Sequence, residues 1–320
     1  LYGFSLIYGL TGQLVFADIS AYLLANSLGS SPVLLLSAIL VISGIGFKIS
    51  VVPFHSWAPD TYEGAPLPIT AYLSVSSKAT GFVALIVLLT KVFESSGQSW
   101  GVILAIVAGA TMTLGNLVAL QQTNPVRLLA YSSISQAGFI IAPLAVSGIT
   151  GNYQDGIFAS VTYLIIYAFM NIGAFLSVHL FTNFTNSDNF YEWGGIAKHS
   201  PLAGVLTTVF FFSLAGIPPL GGWFAKFVVF RSLLSTGEII GISLAIVGAI
   251  NAVIALVYYA RISKVIWMDE LKNPEEEKSF EFQSPLKVVG ALTVLITFVA
   301  GIFPGIFSYL GEVSSIFFGN

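Results

Sequence analysis

The sequence contains nine apolar stretches, each near the length that a helix needs to cross a membrane. A bilayer core about 30 Å thick is spanned by about 20 mainly apolar helical residues. The stretches lie at residues 1–17, 32–57, 66–93, 99–121, 127–149, 156–183, 201–233, 239–262 and 286–310. We therefore predict an all-α polytopic membrane protein with about nine transmembrane helices. The first stretch is short and starts at Leu1 without an initiator methionine, so we expect it to be the second half of a helix in a longer protein.

The composition excludes several other classes of protein. The 320 residues include 12 Lys and Arg and 15 Asp and Glu, or 8% charge, where soluble domains carry about 25%. The absence of a basic excess argues against nucleic-acid binding. The absence of cysteine excludes disulfide frameworks, iron–sulfur clusters and cysteine-ligated zinc.

The distribution of Lys and Arg between the loops predicts the orientation in the membrane. One set of alternate loops holds only Lys91 and Arg231. The opposite set holds Arg127, Lys198, Arg261, Lys264, Lys272, Lys278 and Lys287. Cytoplasmic loops carry the excess of basic residues, so we expect the second side to face the cytoplasm, matrix or stroma. The acidic run at 274–278 would then be a solvated loop on that side.

Three lysines fall inside apolar stretches: Lys48, Lys78 and Lys226. Lys78 lies about 12 residues into its stretch, hence about 18 Å deep. A charge at such a depth costs about 2.5–3.5 kcal/mol on insertion scales. Burial disfavours the charged form of an amine, and a nearby carboxylate favours it, so a buried lysine can gain and lose a proton. Three such lysines favour a proton relay, although each could instead hydrogen-bond only to hold helices together.

Two of the three lysines lie beside predicted helix breaks. Pro53 follows Lys48, and a segment with Gly216, Pro218 and Pro219 precedes Lys226. Proline interrupts a helix, and broken helices at membrane depth are typical of transporter sites. The two breaks are five stretches apart, so these helices run in opposite directions. This arrangement is expected for two inverted five-helix repeats with a half-channel in each.

Polar residues on the stretches between the lysines are candidates for connecting them. They are Asn116, Ser132, Ser133, Ser135, Gln136, Tyr163, Tyr167 and Asn171. Such residues also form ordinary hydrogen bonds between membrane helices, and that interpretation stays open for each of them. His55 follows the first break, close to Asp60 and Glu63. His55 could pass protons at the cytoplasmic end of the half-channel, or it could only form hydrogen bonds that hold the loop after the break.

Four segments carry a resemblance to a known family. They read GFKISVVPFHSWAPDTYEGAP at 46–66, SSK at 76–78, RLLAYSSISQAGF at 127–139 and GIPPLGGWFAKF at 216–227. Together they resemble the antiporter-like subunit N family of respiratory or photosynthetic complex I, also called NADH dehydrogenase subunit 2. Mrp-type cation/proton antiporter subunits are more distantly similar and often have His or Glu at one of the last two lysine positions. Lysine at all three positions favours subunit N.

The resemblance implies a fourteen-helix fold with inverted repeats at helices four to eight and nine to thirteen. Residues 1–94 would be the end of the first repeat, helices six to eight. Residues 95–268 would be the second repeat, and 269–320 a cytoplasmic loop and the final helix. Lys48 would hold the proton of the first half-channel, Lys78 would connect the two, and Lys226 would serve the second. The family's glutamate on helix five, the partner of the lysine that matches Lys48, is not in this sequence.

The function implied is a proton-translocating subunit of an NADH-, NADPH- or ferredoxin-quinone oxidoreductase. The chain itself would hold no cofactor, because quinone and the electron donor are used elsewhere in the complex. The implied partners are the lipid bilayer and the other membrane subunits of complex I, including antiporter-like ones. The implied location is the bacterial inner membrane, or alternatively the thylakoid or mitochondrial inner membrane.

Two other functions remain open. The chain could be a subunit of an Mrp-type sodium/proton antiporter or of a membrane-bound hydrogenase. A sodium antiporter would favour carboxylates inside the membrane, and the sequence places no Asp or Glu deep in an apolar stretch. A purely structural subunit would tolerate neutral replacement of all three lysines.

Overall fold

The computed structural model describes residues 1–270 and 284–319, and within them the regular secondary structure is entirely helical. The acidic run predicted to form a cytoplasmic loop, at 274–278, lies outside the described residues. The helices are α1 Tyr2–Thr11, α2 Phe16–Ala25, α3 Pro32–Ile49, α4 Trp57–Gly64, α5 Leu67–Tyr72, α6 Lys78–Lys91, α7 Gly97–Ala119, α8 Pro125–Thr150, α9 Tyr153–Thr185, α10 Ile196–His199, α11 Pro201–Ala215, α12 Gly221–Ser235, α13 Ile239–Met268, α14 Ser284–Ile302 and α15 Gly305–Gly319. Short 3₁₀ turns and one π-helical turn, Leu73–Ser77, complete them.

The prediction of an all-α membrane protein is confirmed. Seven helices in the described part of the chain are long and apolar enough to cross a membrane. The α1–α2 pair, bent by 55°, brings the number to eight if it forms one span. The remaining predicted span, 201–233, is present as two half-helices of 15 residues each, α11 and α12. Neither half is long enough to cross the bilayer core alone.

Several predicted boundaries differ from the structure, and two of them place the end of a span eight residues too late. The predicted span 32–57 ends at Ile49, and the predicted span 286–310 ends at Ile302. In the second case Phe303 and Pro304 separate α14 from α15, since proline lacks the backbone donor that would continue the helix. Beside α9, Gly290 of α14 lies against Leu176 and Gly319 of α15 lies against Gln154. The two helices therefore run antiparallel to α9 along most of its length.

Both predicted helix breaks are present. The first lies between α3 and α4, where Ser50 adopts a left-handed conformation with φ of 60° and Pro53 follows. The second lies between α11 and α12, where Gly216 has φ of 94°, a conformation that favours glycine because it has no Cβ. The broken helices thus match the positions at which the sequence places proline.

Helix α8 lies at the centre of the molecule. Of its apolar window 94% is buried, against 33% for α13 and 28% for the span 285–302. It packs closely against α7 through small residues, as membrane helices do. A Cβ on Gly115 would lie 2.7 Å from the backbone N of Ser135, and one on Gly138 would lie 2.7 Å from the Cγ of Met112. Polar residues on α8 are therefore held away from lipid.

Candidate functional site

Lys78 is buried and bonded to α8. It begins α6, its side chain is 1% exposed, and its Nζ donates to the Ser133 Oγ at 2.6 Å and to the Ser133 carbonyl at 3.2 Å. The Nζ also lies 5.9 Å from the centre of the Tyr62 ring. Among the described residues no carboxylate pairs with this lysine. The amine is thus held by a hydroxyl, a carbonyl and an aromatic face.

A π-helical turn presents Lys78 to its surroundings. The turn Leu73–Ser77 immediately precedes the lysine, and such turns occur frequently at functional sites. Asn171 Nδ2 donates to the Ser74 Oγ at 2.8 Å, and the Tyr167 hydroxyl donates to the Ser74 carbonyl at 3.5 Å. Two predicted candidates on α9 therefore contact the widened turn rather than the lysine itself.

Lys226 is bonded to the end of the broken helix α11. It is 5% exposed, and its Nζ donates to the carbonyls of Ala215 at 2.6 Å and Leu214 at 3.2 Å. The last carbonyls of a helix lack partners within the helix and carry partial negative charge. The break at Gly216 therefore creates the acceptors that hold this amine. The Phe139 ring lies 5.3 Å from Nζ.

Gln136 connects α8 to the second lysine. Its Nε2 donates to the Leu214 carbonyl at 3.3 Å, the same oxygen that accepts from Lys226. Its Oε1 accepts a hydrogen bond from the Tyr163 hydroxyl. Since Ser133 of the same helix holds Lys78, the polar segment 132–136 of α8 touches the surroundings of both buried lysines.

Two adjacent tyrosines on α13 complete the polar interior, and the sequence analysis missed them. Ser132 Oγ is hydrogen-bonded to the hydroxyl of Tyr259. The hydroxyl of Tyr258 donates to the Asn116 Oδ1 at 2.9 Å, and Asn116 Nδ2 donates to the Asn251 Oδ1 at 3.1 Å. The available signal was a pair of tyrosines within a mainly apolar helix. Tyr62, Ser74 and Asn251 were missed as well.

Lys48 is not buried with the other two lysines. It lies in the last turn of α3, and its side chain is exposed in the described chain, contrary to the predicted burial. Its aliphatic stem still packs on α6, where a Cβ on Gly81 would lie 3.2 Å from the Lys48 Cγ. The amine is on a face of α3 that the other described helices leave open.

The acidic residues near His55, Asp60 and Glu63, form ion pairs with Arg127 rather than with His55. Arg127 Nη1 lies 2.8 Å from Asp60 Oδ1 and 2.5 Å from Glu63 Oε2, and Asn124 Nδ2 donates to Glu63 Oε1 at 3.0 Å. These contacts tie α4 to the start of α8. His55 is half-buried, and its ring interacts with the backbone of Pro53 in the loop after α3. That contact does not test whether His55 also passes protons, so both interpretations of His55 remain predictions.

No group of three His, Cys, Asp or Glu side chains in the described parts of the chain is arranged to hold a metal ion. The polar interior consists of amines, hydroxyls and amides. These groups can hold, donate and accept protons.

Residues 1–254 match the family model described as NADH:quinone oxidoreductase/Mrp antiporter, TM. Among curated proteins, the chain is 37% identical over 305 residues to the NADH-quinone oxidoreductase subunit N of Desulforamulus reducens, covering 95% of the chain and 61% of the relative. It is 42% identical over 311 residues to the NAD(P)H-quinone oxidoreductase subunit 2 of Crocosphaera subtropica, covering 94% and 58%. The chain thus spans about three fifths of the length of these relatives.

The fold is similar to that of solved membrane complexes. A chain of the respiratory complex I of Thermus thermophilus with bound aureothin superposes with a TM-score of 0.75 at 26% identity, covering 96% of this chain and 64% of that one. A chain of the Mrp complex of Dietzia sp. DQ12-45-1b gives 0.84 at 21% identity, covering 98% and 64%. The second likeness shows the fold alone. Both are consistent with an antiporter-like membrane fold.

Proposed function

Because the chain belongs to the NADH:quinone oxidoreductase/Mrp antiporter membrane family, we propose that it translocates protons as a membrane subunit of an NADH-, NADPH- or ferredoxin-quinone oxidoreductase. One observation carries the proposal. Lys78 and Lys226 are buried among membrane-spanning helices, and each donates hydrogen bonds to uncharged acceptors. Segment 132–136 of α8 includes the acceptor of Lys78 and contacts an acceptor of Lys226.

The physical basis is the cost of an unpaired charge in a low-dielectric interior. An ammonium group without a carboxylate partner is held only by dipoles, so its proton is easily lost when those dipoles or nearby charges move. Moving one proton against 100 mV requires about 2.3 kcal/mol. Quinone reduction elsewhere in the assembly would supply this energy. The chain's own part is to accept, hold and release protons.

The relatives favour subunit N over the alternatives. The curated relatives at 37% and 42% identity are named as quinone oxidoreductase subunits, whereas the Mrp complex is similar at 21%. Lysine at positions 48, 78 and 226 agrees with this choice. We assign 1–94 to the end of a first inverted repeat, 95–268 to a second, and 269–320 to a loop and the final membrane segment.

We propose the same roles for the lysines as the resemblance implies. Lys78 would connect two half-channels and Lys226 would serve the second. Lys48 would serve the first, from the face of α3 that the other described helices leave open. The assembly would place the chain beside other membrane subunits of complex I in a bacterial inner membrane, or in a thylakoid or mitochondrial membrane. Quinone and the electron donor would bind elsewhere.

The test uses inverted membrane vesicles that contain the whole assembly, with quinone reduction and acidification recorded together. In Lys78→Met and Lys226→Met we expect both rates to fall in step. Lys264→Met is the matched control, because that lysine is exposed at the end of α13 and loses the same charge. Wild-type rates in both buried-lysine variants would refute the proposal. Sodium-dependent acidification without quinone reduction would favour the Mrp-type alternative.

A further inference from the structure

Helix α4 is short and is separated from its neighbours in the chain by breaks. It contains eight residues, Trp57–Gly64, and lies between the break after α3 and the Ala65–Pro66 step that leads into α5. A helix of about two turns has little stability of its own, so its position depends on side-chain contacts. Those contacts lead in two directions, toward the exposed end of α8 at Arg127 and toward the buried amine of Lys78.

Two residues at the start of α8 hold the exposed face of α4. Glu63 accepts from both of them, from Arg127 Nη1 at 2.5 Å and from Asn124 Nδ2 at 3.0 Å. Asp60, three residues earlier on the same face, accepts from Arg127 at 2.8 Å. Asn124 caps α8 and also accepts from the backbone N of Arg127 at 3.1 Å. Helix α4 is therefore tied to the first turn of α8 by charged hydrogen bonds.

Tyr62 lies on the buried face of α4, next to Lys78. The tyrosine is fully buried, and the centre of its ring lies 5.9 Å from the Lys78 Nζ, within the range of a cation–π contact. The ring also packs edge-on against Phe175 of α9, with ring centres 6.4 Å apart. The same amine donates to the Ser133 Oγ at 2.6 Å. The amine of Lys78 therefore contacts both α4 and α8.

Helices α4 and α8 are thus connected at two places. Arg127 and Ser133 are six residues apart on α8, about 9 Å along the helix. At the first place the ion pairs join the two helices, and at the second the Lys78 amine contacts both of them. Because breaks flank α4, a movement of its exposed face would change the distance between the Tyr62 ring and the amine. The face of an aromatic ring attracts an ammonium group, so this distance affects how the amine holds its proton.

We infer that Arg127 is a positioning residue for Lys78, an inference that rests on the function proposed above. Through its ion pair with Glu63, Arg127 holds α4 so that the Tyr62 ring stays against the amine. Arg127 itself takes no part in proton transfer, because a guanidinium group keeps its proton. An ion pair as exposed as this one changes an equilibrium by up to about fivefold. The expected effect of its loss is therefore a partial reduction of acidification.

The experiment measures quinone reduction and acidification, per amount of assembly, in vesicles that contain the whole assembly. We expect Arg127→Gln to lower both rates about three- to fivefold. Arg261→Gln is the matched control, because it removes the same charge from the end of α13, where the arginine donates to the Leu120 carbonyl at 3.0 Å. Its rates should stay within about 1.5-fold of the wild type. Arg127→Glu should also lose acidification, and combining it with Glu63→Arg should restore at least about half of the wild-type rate, because the reversed charges attract again.

Variants of Tyr62 separate positioning from simple stabilisation. Tyr62→Phe keeps the ring and should stay within about twofold of the wild-type rate, whereas Tyr62→Leu removes the ring and should lower it. Adding Arg127→Gln to Tyr62→Leu should cause no further loss, because the ion pair then has no ring to position. If Arg127 only stabilised the protein, the two losses would multiply.

Either of two results would overturn the inference: wild-type rates in Arg127→Gln, or multiplied losses in the combined variant. If Tyr62→Leu does not assemble, the charge exchange between positions 127 and 63 decides alone, and a rate that stays low refutes the positioning role. Lys78→Met, run alongside, distinguishes this failure from failure of the proposed function. If Lys78→Met loses acidification and Arg127→Gln does not, only the role of Arg127 is refuted.

Discussion

A single added methyl group at Gly115 should separate the two helices on which the lysine site is built. In Gly115→Ala, the new Cβ would lie 2.7 Å from the backbone N of Ser135 and 2.9 Å from the carbonyl of Tyr131. Ordinary contact begins at 3.4 Å. Backbone atoms cannot rotate away, so α7 and α8 must move apart locally by about 0.7 Å, the difference between these distances.

The matched control is Gly109→Ala on the same helix. The nearest atom to its Cβ would be the Leu244 Cδ2 at 3.8 Å, so this methyl group fits. Both variants replace glycine by a better helix former, a gain of about 1 kcal/mol each. Overpacking costs about 1–3 kcal/mol and applies to Gly115→Ala alone. The difference in the free energy of unfolding between the two variants should therefore be about 1–3 kcal/mol.

The displacement should also disturb the contacts of the buried lysines, because Ser133 and Gln136 lie close to Ser135, the residue that the new methyl group would push. Misplacement by about 1 Å can cost about 100-fold in rate, so we expect at least a tenfold loss of acidification in Gly115→Ala. Melting followed by intrinsic fluorescence measures stability, and vesicle acidification measures function. Equal melting temperatures and equal acidification in the two variants would show that α7 and α8 are not as closely packed as described.

Three further predictions follow from particular contacts. Ser133→Ala removes the acceptor at 2.6 Å from the Lys78 Nζ, so vesicle acidification should fall. Ser133→Thr keeps a hydroxyl, so its acidification rate should stay near that of the wild type. Equal acidification rates in the two variants would contradict a role for this contact. Gly216→Ala should destabilise the protein by about 1–3 kcal/mol, because the residue has φ of 94°. It should also reduce acidification, because the new Cβ would lie 2.8 Å from the Lys226 Cδ. The control is Gly237→Ala, with φ of 69° and no atom within 4 Å of its Cβ, which should show the backbone strain without the functional loss. Arg127→Gln should lower stability by only about 0.5–1 kcal/mol, since the side chain is 30% exposed, and the difference in melting temperature from the wild type should shrink at high salt.

The membrane fold could be predicted because apolar length and proline are local signals. The positions of Pro53 and Pro218 are enough to place both helix breaks. The end of α14 was missed because residues 286–310 are mainly apolar, so hydropathy does not reveal that the helix stops before Pro304 and that a new helix follows it. Hydropathy shows that a segment lies in the membrane, but the residue at which the helix breaks depends on backbone geometry.

The site was partly predictable for the same reason. Buried lysines stand out in an apolar sequence, and Ser133 and Gln136 lie on the most buried helix, so Lys78, Lys226 and their contacts on α8 were found. The exposure of Lys48 could not be foreseen, because which face of α3 is covered depends on tertiary packing. Tyr259 was missed because a buried tyrosine is common and only its partner on another helix distinguishes it.

The π-helical turn before Lys78 has a consequence for changes in chain length. Leu67–Lys91 is a span of 25 residues, and it would remain long enough for the bilayer after losing one residue from the turn. A π turn holds one residue more than a turn of α-helix, so a regular helix would then continue with the residues on both sides facing nearly the same neighbours. A deletion within Leu67–Tyr72 would instead rotate every later residue by about 100°. A single-residue deletion in the π turn should therefore leave Lys78 close to Ser133, whereas the same deletion in α5 should turn the amine away although membrane insertion is unaffected.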